Sequence, residues 1–234
     1  MSEKIQKIIS AAGLMSRRAA EEALRGGRVT VNGRAALLGD RADAESDTIC
    51  VDGQPLSAPG RKLYIVLNKP RGYVTTMHDE KGRRSVCELV SELESRVYPV
   101  GRLDMQSEGL LIMTNDGDFA NALMHPSHEI NKTYRTWVSG QSIRAAVKEL
   151  RQPMELDGYR IRAAGVEIEE ITGTEATLLI TIHEGRNRQI RKMCEQSGLR
   201  VRRLCRIREG AVSLGNLPSG KWRYLTDAEV KQMK

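Results

Sequence analysis

Residues 101–104 read Gly-Arg-Leu-Asp, and residues 109–117 read Gly-Leu-Leu-Ile-Met-Thr-Asn-Asp-Gly. Asp104 therefore stands in a Gly-flanked loop directly before a short apolar strand, 110–113. Asn115-Asp116-Gly117 closes that strand with a strong turn signal. Arg102 lies two residues upstream of the acid. A carboxylate on a loop docked against rigid sheet can be held accurately beside a reacting group, as a nucleophile or a base requires. A second chemical group stands at Tyr134. Residues Ile130, Lys132, Tyr134, Thr136 and Val138 alternate with outward partners, so the pattern predicts a strand over 132–138. The chain has only six Tyr, two Trp and one Phe. A tyrosine on a strand can offer a flat face to a base, worth roughly 1–3 kcal/mol by stacking.

The elements that must position these groups fall into two parts. Ile5, Ile8, Ile9 and Ala12 have helical spacing, and Gly13 can end that helix. Ser16 can cap a second helix that begins with Arg17 and Arg18 and ends before Gly26-Gly27. A strand over 28–31 runs into an Asn32-Gly33 hairpin turn, and a strand over 48–51 into Asp52-Gly53. Residues 55–60, Pro-Leu-Ser-Ala-Pro-Gly, read as a linker that lets the first part swing. The expected division is 1–57 as a small module, 58–62 as linker and 63–234 as the main domain. Beyond the linker, further strands are expected over 63–67, 176–182 and 201–207. Helices are expected over 119–124, 142–150, 189–196 and from Asp227 onward. Strands and helices do not alternate regularly, which argues for an α+β fold with a mixed, mainly antiparallel sheet.

Charge narrows the partners. The formal net charge is +7. Residues 186–208 hold nine Lys/Arg and one acid, Glu195, and residues 1–34 hold seven basic and three acidic side chains. Two basic segments suggest two contacts with one polyanion. No apolar run approaches the roughly 18 residues of a membrane helix, and the charged start is unlike a signal peptide. A soluble, cytoplasmic protein without membrane contact is expected. The four cysteines form no C-x-x-C pair, so buried thiols are expected rather than disulfides or zinc ligands. His125 and His128 flank Pro126-Ser127, the proline interrupts any helix, and no Cys stands nearby, so no metal site is expected. No G-x-x-x-x-G-K-[ST] phosphate loop is present.

Four segments of the main part stand in one order: Leu67-Asn68-Lys69-Pro70-Arg71-Gly72, the Asp104 loop, Lys132-Thr133-Tyr134, and Glu184-Gly185-Arg186-Asn187-Arg188-Gln189-Ile190-Arg191-Lys192-Met193. Together they resemble the RNA pseudouridine synthases, and the wording of 187–193 looks like the branch that modifies ribosomal RNA of either subunit; residues 2–7, Ser-Glu-Lys-Ile-Gln-Lys, and 123–127, Leu-Met-His-Pro-Ser, look most like members acting on the large subunit. The first part, with Ser16-Arg17-Arg18, 27–33 and Asp52-Gly53, resembles the alpha-L (S4-type) RNA-binding module. The resemblance covers nearly the whole chain. It implies an isomerase that turns a specific uridine, flipped out of its stack, into pseudouridine without a cofactor. It implies Asp104 as the catalytic carboxylate, with Arg191 as its ion-pair partner and Tyr134 in the site. Arg102 would enter the RNA stack. Lys69, Arg71, Arg186 and Arg188 would meet flanking phosphates. Arg17, Arg18 and Arg28 would meet phosphates from the small module. The implied partner is ribosomal RNA or an assembly precursor, bound by a monomer. A non-enzymatic ribosomal RNA-binding or assembly factor, and the same chemistry on small-subunit or transfer RNA, are the competing readings.

Overall fold

The computed structural model describes residues 2–57, 60–125 and 129–233. Ala58 and Pro59 of the expected linker, and Pro126, Ser127 and His128, lie outside the described residues. Two compact units emerge. One comprises Met1–Leu63 with the short pieces Leu93–Val97 and Asn115–Gly117; the other comprises Tyr64–Glu92, Tyr98–Thr114 and Asp118–Lys234.

In the first unit the helices Ile5–Ala11 and Arg17–Arg25 follow the expected spacing. The Ser16 hydroxyl accepts from the Ala19 amide at 3.2 Å, as an N-cap should. Strands Val29–Val31 and Ile49–Val51 pair antiparallel. Asn32 and Gly33 have φ of 51° and 79°, and Asp52 and Gly53 of 51° and 77°, the left-handed pair that a two-residue hairpin needs. Ile5, Ile8, Ile9, Leu24, Val29, Ile49 and Val51 form its core. Residues 61–63, expected partly as free linker, are instead tied down. The Leu63 amide donates to Asn115 Oδ1 at 2.7 Å, Asn115 Nδ2 donates to the Arg61 carbonyl at 2.9 Å, and Lys62 pairs with Asp116 at 3.0 Å.

The second unit is built on a nine-stranded sheet. Its main path runs Gly165–Thr172, Glu175–Ile182, Lys132–Ser139, Arg200–Glu209, Glu108–Thr114, Tyr64–Lys69, Trp222–Tyr224. Neighbours on this path are antiparallel except at one seam. There Glu108–Thr114 runs parallel to Arg200–Glu209, with Cys205 facing Glu108 and Arg206 facing Gly109. Gly109 makes the seam possible. Its φ is +100°, and a Cβ there would fall 2.3 Å from the Arg206 carbonyl oxygen. The seam lies just after the Asp104 loop and brings that loop to the strand pair carrying Tyr134 and Arg206.

The expected strands and helices appear with small boundary shifts. The expectation omits the hairpin Met154–Leu156/Tyr159–Ile161 and the edge strand Gly165–Thr172. Helices Ile143–Leu150 and Gln189–Gln196 bury Val147, Leu150, Ile190 and Met193. Helix Gly117–Met124 buries Phe119 and Leu123 in a core with Val66, Leu110 and Ile112. Among the described residues, no helix is long and apolar enough to cross a membrane.

Candidate active site

Asp104 is half-buried and lines a cleft of about 430 Å³. Arg102, Tyr134, Arg186 and Arg188 line it too, as do Lys132, Arg206 and Glu209. Five basic side chains thus face two acidic ones, a balance that favours an anionic ligand.

The loop bearing Asp104 is anchored from three sides. From below, Lys69 at the end of its strand is fully buried. Its ammonium donates to the carbonyls of Ser107 (2.8 Å), Pro70 (3.0 Å) and Asp104 (3.2 Å). Burial lowers the Lys69 pKa to about 8, while the Asp104 and Glu108 charges hold it up. On one flank, Thr75 Oγ1 donates to the Leu103 carbonyl at 2.8 Å. On the other, Arg71 Nη2 meets Gln106 Oε1 at 3.2 Å and Arg191 Nη2 meets the Gln106 carbonyl at 3.1 Å.

This geometry corrects one expected role. Lys69 does not reach an RNA phosphate; it has no exposed surface and its three donors are spent on main-chain carbonyls. The placement of Arg191 also differs from a direct salt bridge. Its guanidinium holds the Gln106 and Val201 carbonyls, and its buried Nε has no hydrogen-bond partner. Burial and the nearby Arg188 lower its pKa, and the Asp104 charge opposes them, so the two charges interact although Arg191 spends its hydrogen bonds on carbonyls.

Tyr134 sits on the strand next to a register shift, where Ile207 of the facing strand is left unpaired. It is 7% exposed, and burial raises its pKa so the phenol stays protonated. Arg206 faces it across the strand pair, and the Arg206 charge opposes that rise. Arg206 is 2% exposed. Its Nε donates to the Leu110 carbonyl at 2.7 Å, and its Nη2 lies 3.3 Å from Glu209 Oε2. Glu209 in turn lies 3.6 Å from Lys132 Nζ. Arg206 Nη2 and Glu209 Oε2 form a charge pair whose angles fall short of a hydrogen bond. This buried Lys132–Glu209–Arg206 set beneath Tyr134 was not expected. Its signal was faint: Arg206 looked like one more cation in a basic run.

That run does not form one surface. Strand alternation divides it. Arg186 and Arg188 stay exposed at the cleft, and Arg206 is buried. Arg203 and Arg208 line a separate groove of about 980 Å³ with Arg135 and Trp137, which Asp104 does not line. Arg71 and Arg102 are exposed, Arg102 at the cleft itself. In the first unit, Arg17 and Arg18 are exposed. Arg28 is exposed but pairs with Asp52 at 3.1 Å.

A cationic cleft around a carboxylate and a buried tyrosine, on a mixed sheet, agrees with what the comparisons with known proteins find. The family model of RNA pseudouridylate synthase matches residues 63–196, and that of the S4 domain matches residues 3–49. The chain belongs to the RNA pseudouridylate synthase family and is an RNA pseudouridine synthase, an isomerase. It is 40% identical to "Ribosomal large subunit pseudouridine synthase B" of Bacillus subtilis, over 99% of this chain and 96% of that one. It is also 40% identical to an uncharacterized RNA pseudouridine synthase of Aquifex aeolicus, over 100% of this chain and 94% of the relative. A solved structure described as "Crystal structure of pseudouridylate synthase" matches with a TM-score of 0.71 at 26% identity, covering 99% of both chains.

Proposed function

We propose that this enzyme isomerises a uridine of large-subunit ribosomal RNA, with Asp104 as the catalytic carboxylate. The reaction breaks the bond from base nitrogen N1 to sugar carbon C1′, turns the base, and joins carbon C5 to C1′. A proton leaves C5 and N1 gains one, so nothing is added or lost overall. An ionised carboxylate serves this chemistry by attacking C1′ or by taking a sugar proton. The observation that carries the assignment is the position of Asp104 on a triply anchored loop at a cationic cleft. Tyr134, held protonated by burial and facing Arg206 across the strand pair, serves as the flat support of the base and as a proton carrier near C5. Arg191 acts on Asp104 through its charge and through the Gln106 carbonyl.

A stacked uridine cannot react, so it must be extruded at a cost of a few kcal/mol. Arg102, Arg186 and Arg188 at the cleft are placed to offset that cost through phosphate contacts. Arg17, Arg18 and Arg28 supply a second docking surface for ribosomal RNA or an assembly precursor. The name carried by the Bacillus subtilis relative supports the large-subunit substrate. The test compares ribosomal RNA from cells with and without the protein, using carbodiimide adducts that stop primer extension at pseudouridine. One protein-dependent stop in large-subunit RNA is expected. A stop only in small-subunit or transfer RNA overturns the substrate, and no stop in any RNA overturns the reading.

A further inference from the structure

Next to the cleft stands a feature that the isomerisation does not use. The hairpin Met154–Leu156/Tyr159–Ile161 turns through Asp157 and Gly158, with φ of 52° and 77°, a tight two-residue turn. Its first residue after the turn is Tyr159. In a chain with nine aromatic side chains, Tyr159 is 56% exposed, whereas Tyr134 and Phe119 are buried. The hairpin is fixed to the Gln189–Gln196 helix, because Lys192 Nζ on that helix bonds Asp157. Tyr159 is therefore an exposed ring on a rigid mount.

The Arg186 guanidinium lies 4.3 Å from the centre of the Tyr159 ring. Its Nε also reaches Glu184 at 3.3 Å. Arg186 lines the Asp104 cleft and also the adjoining hollow of about 320 Å³ that holds Tyr159, Asn187 and Lys192. Arg186, Asn187 and Gln189 thus line both depressions, and Arg188, Arg186 and Lys192 make a positive track between them.

We infer that Tyr159 and Arg186 form a stacking platform for the base of a nucleotide beside the target uridine. The inference rests on the uridine-flipping reading. Extruding one base leaves its neighbours without a stacking partner. A planar guanidinium lying over a phenol ring supplies a replacement stacking surface, and unpaired RNA bases are recognised in this way. The platform would give the enzyme a preference for the sequence around its target, separate from recognition of the uridine itself.

The test uses a short RNA hairpin containing the mapped uridine, with the nucleotide on its 5′ or 3′ side made abasic in turn. On the intact RNA, Tyr159→Ala should lower kcat/KM about 10- to 100-fold, the span that one base stack is worth. Tyr159→Phe, which keeps the ring, should restore most of the rate. On one of the two abasic RNAs the Ala penalty should vanish. A penalty that persists on both abasic RNAs, or no penalty on the intact RNA, overturns the platform. A second measurement needs no turnover. A single-stranded RNA decamer carrying 2-aminopurine should be quenched by the wild-type protein and not by Tyr159→Ala. Quenching alongside absent pseudouridine formation would sink the isomerase reading and keep the RNA subsite; equal quenching by both proteins would sink the subsite alone.

Discussion

Lys69 donates a hydrogen bond to the main-chain carbonyl of Asp104 at 3.2 Å, from a position with no exposed surface. Two more carbonyls, of Pro70 and Ser107, take its remaining donors. The chain thus fixes the backbone of the Asp104 loop with a buried cation.

That arrangement has a pH signature. Only the ammonium form has three protons to give. As pH rises through about 8 the group loses one and one carbonyl loses its donor. Catalytic rate should therefore fall on a basic limb near pH 8. Stability should move the other way. The folded pKa lies below the unfolded value of 10.5, so the unfolded chain binds more protons between the two, and the Lys69 contribution rises with pH from about 8 to 10.5. Lys69→Met should lose rate at pH 7, with each unpaired carbonyl costing about 1–3 kcal/mol, and should lack the basic limb. A pH–rate profile of both proteins checks this; an unchanged limb in the Met variant contradicts it.

Gly109 supports the parallel seam. An alanine there meets the Arg206 carbonyl and must hold φ near +100°. Backbone strain of about 1–3 kcal/mol adds to overpacking of about 1–3 kcal/mol. Gly109→Ala should lower the thermal midpoint by several degrees and reduce turnover, read by calorimetry and by rate. Wild-type values in both would show that the seam tolerates a side chain.

Glu209 balances Arg206 and Lys132 in a nearly dry site. Glu209→Gln leaves both cations without a counter-charge, a loss of about 3–5 kcal/mol. The unfolding midpoint should drop clearly. The double change Arg206→Met with Glu209→Leu should recover much of that stability, since apolar replacement of a buried pair is often neutral. Activity should stay low in the double variant because Tyr134 loses the positive charge that faces it. Recovery of both stability and rate would show that Arg206 has no role beyond packing.

Arg17 and Arg18 are exposed at the start of their helix, free to meet phosphates. Replacing both by Ala should weaken RNA binding and lower the slope of log affinity against log salt by about 1–2. Filter binding across a salt series measures it. An unchanged slope would remove the small module from the RNA contact.

Much of this was legible in the sequence, for identifiable reasons. Asp104 stood out because glycine and a turn signal bracket it, and Tyr134 because strand alternation puts it on one face. Helix caps such as Ser16 are local and were read correctly. What escaped depends on distance in the chain. The partners of Lys69 lie at Asp104 and Ser107, 35 and 38 residues away, so a lysine before proline read as an exposed cation. Arg206 was hidden in a basic run whose members a strand sends to opposite faces. The edge strand Gly165–Thr172 broke its own alternation with a bulge between Ile168 and Glu170. The Met154–Ile161 hairpin carried the Asp-Gly turn signal, but its strands of three residues are too short to show a period.

The most direct measurement is tritium release from carbon five of labelled uridine in ribosomal RNA, comparing wild type with Asp104→Asn. The substitution keeps shape and removes the negative charge. Release by the wild-type enzyme, none above background by the variant, and RNA binding equal in both is the expected result. Release by Asp104→Asn at the wild-type rate would contradict the assignment of this carboxylate.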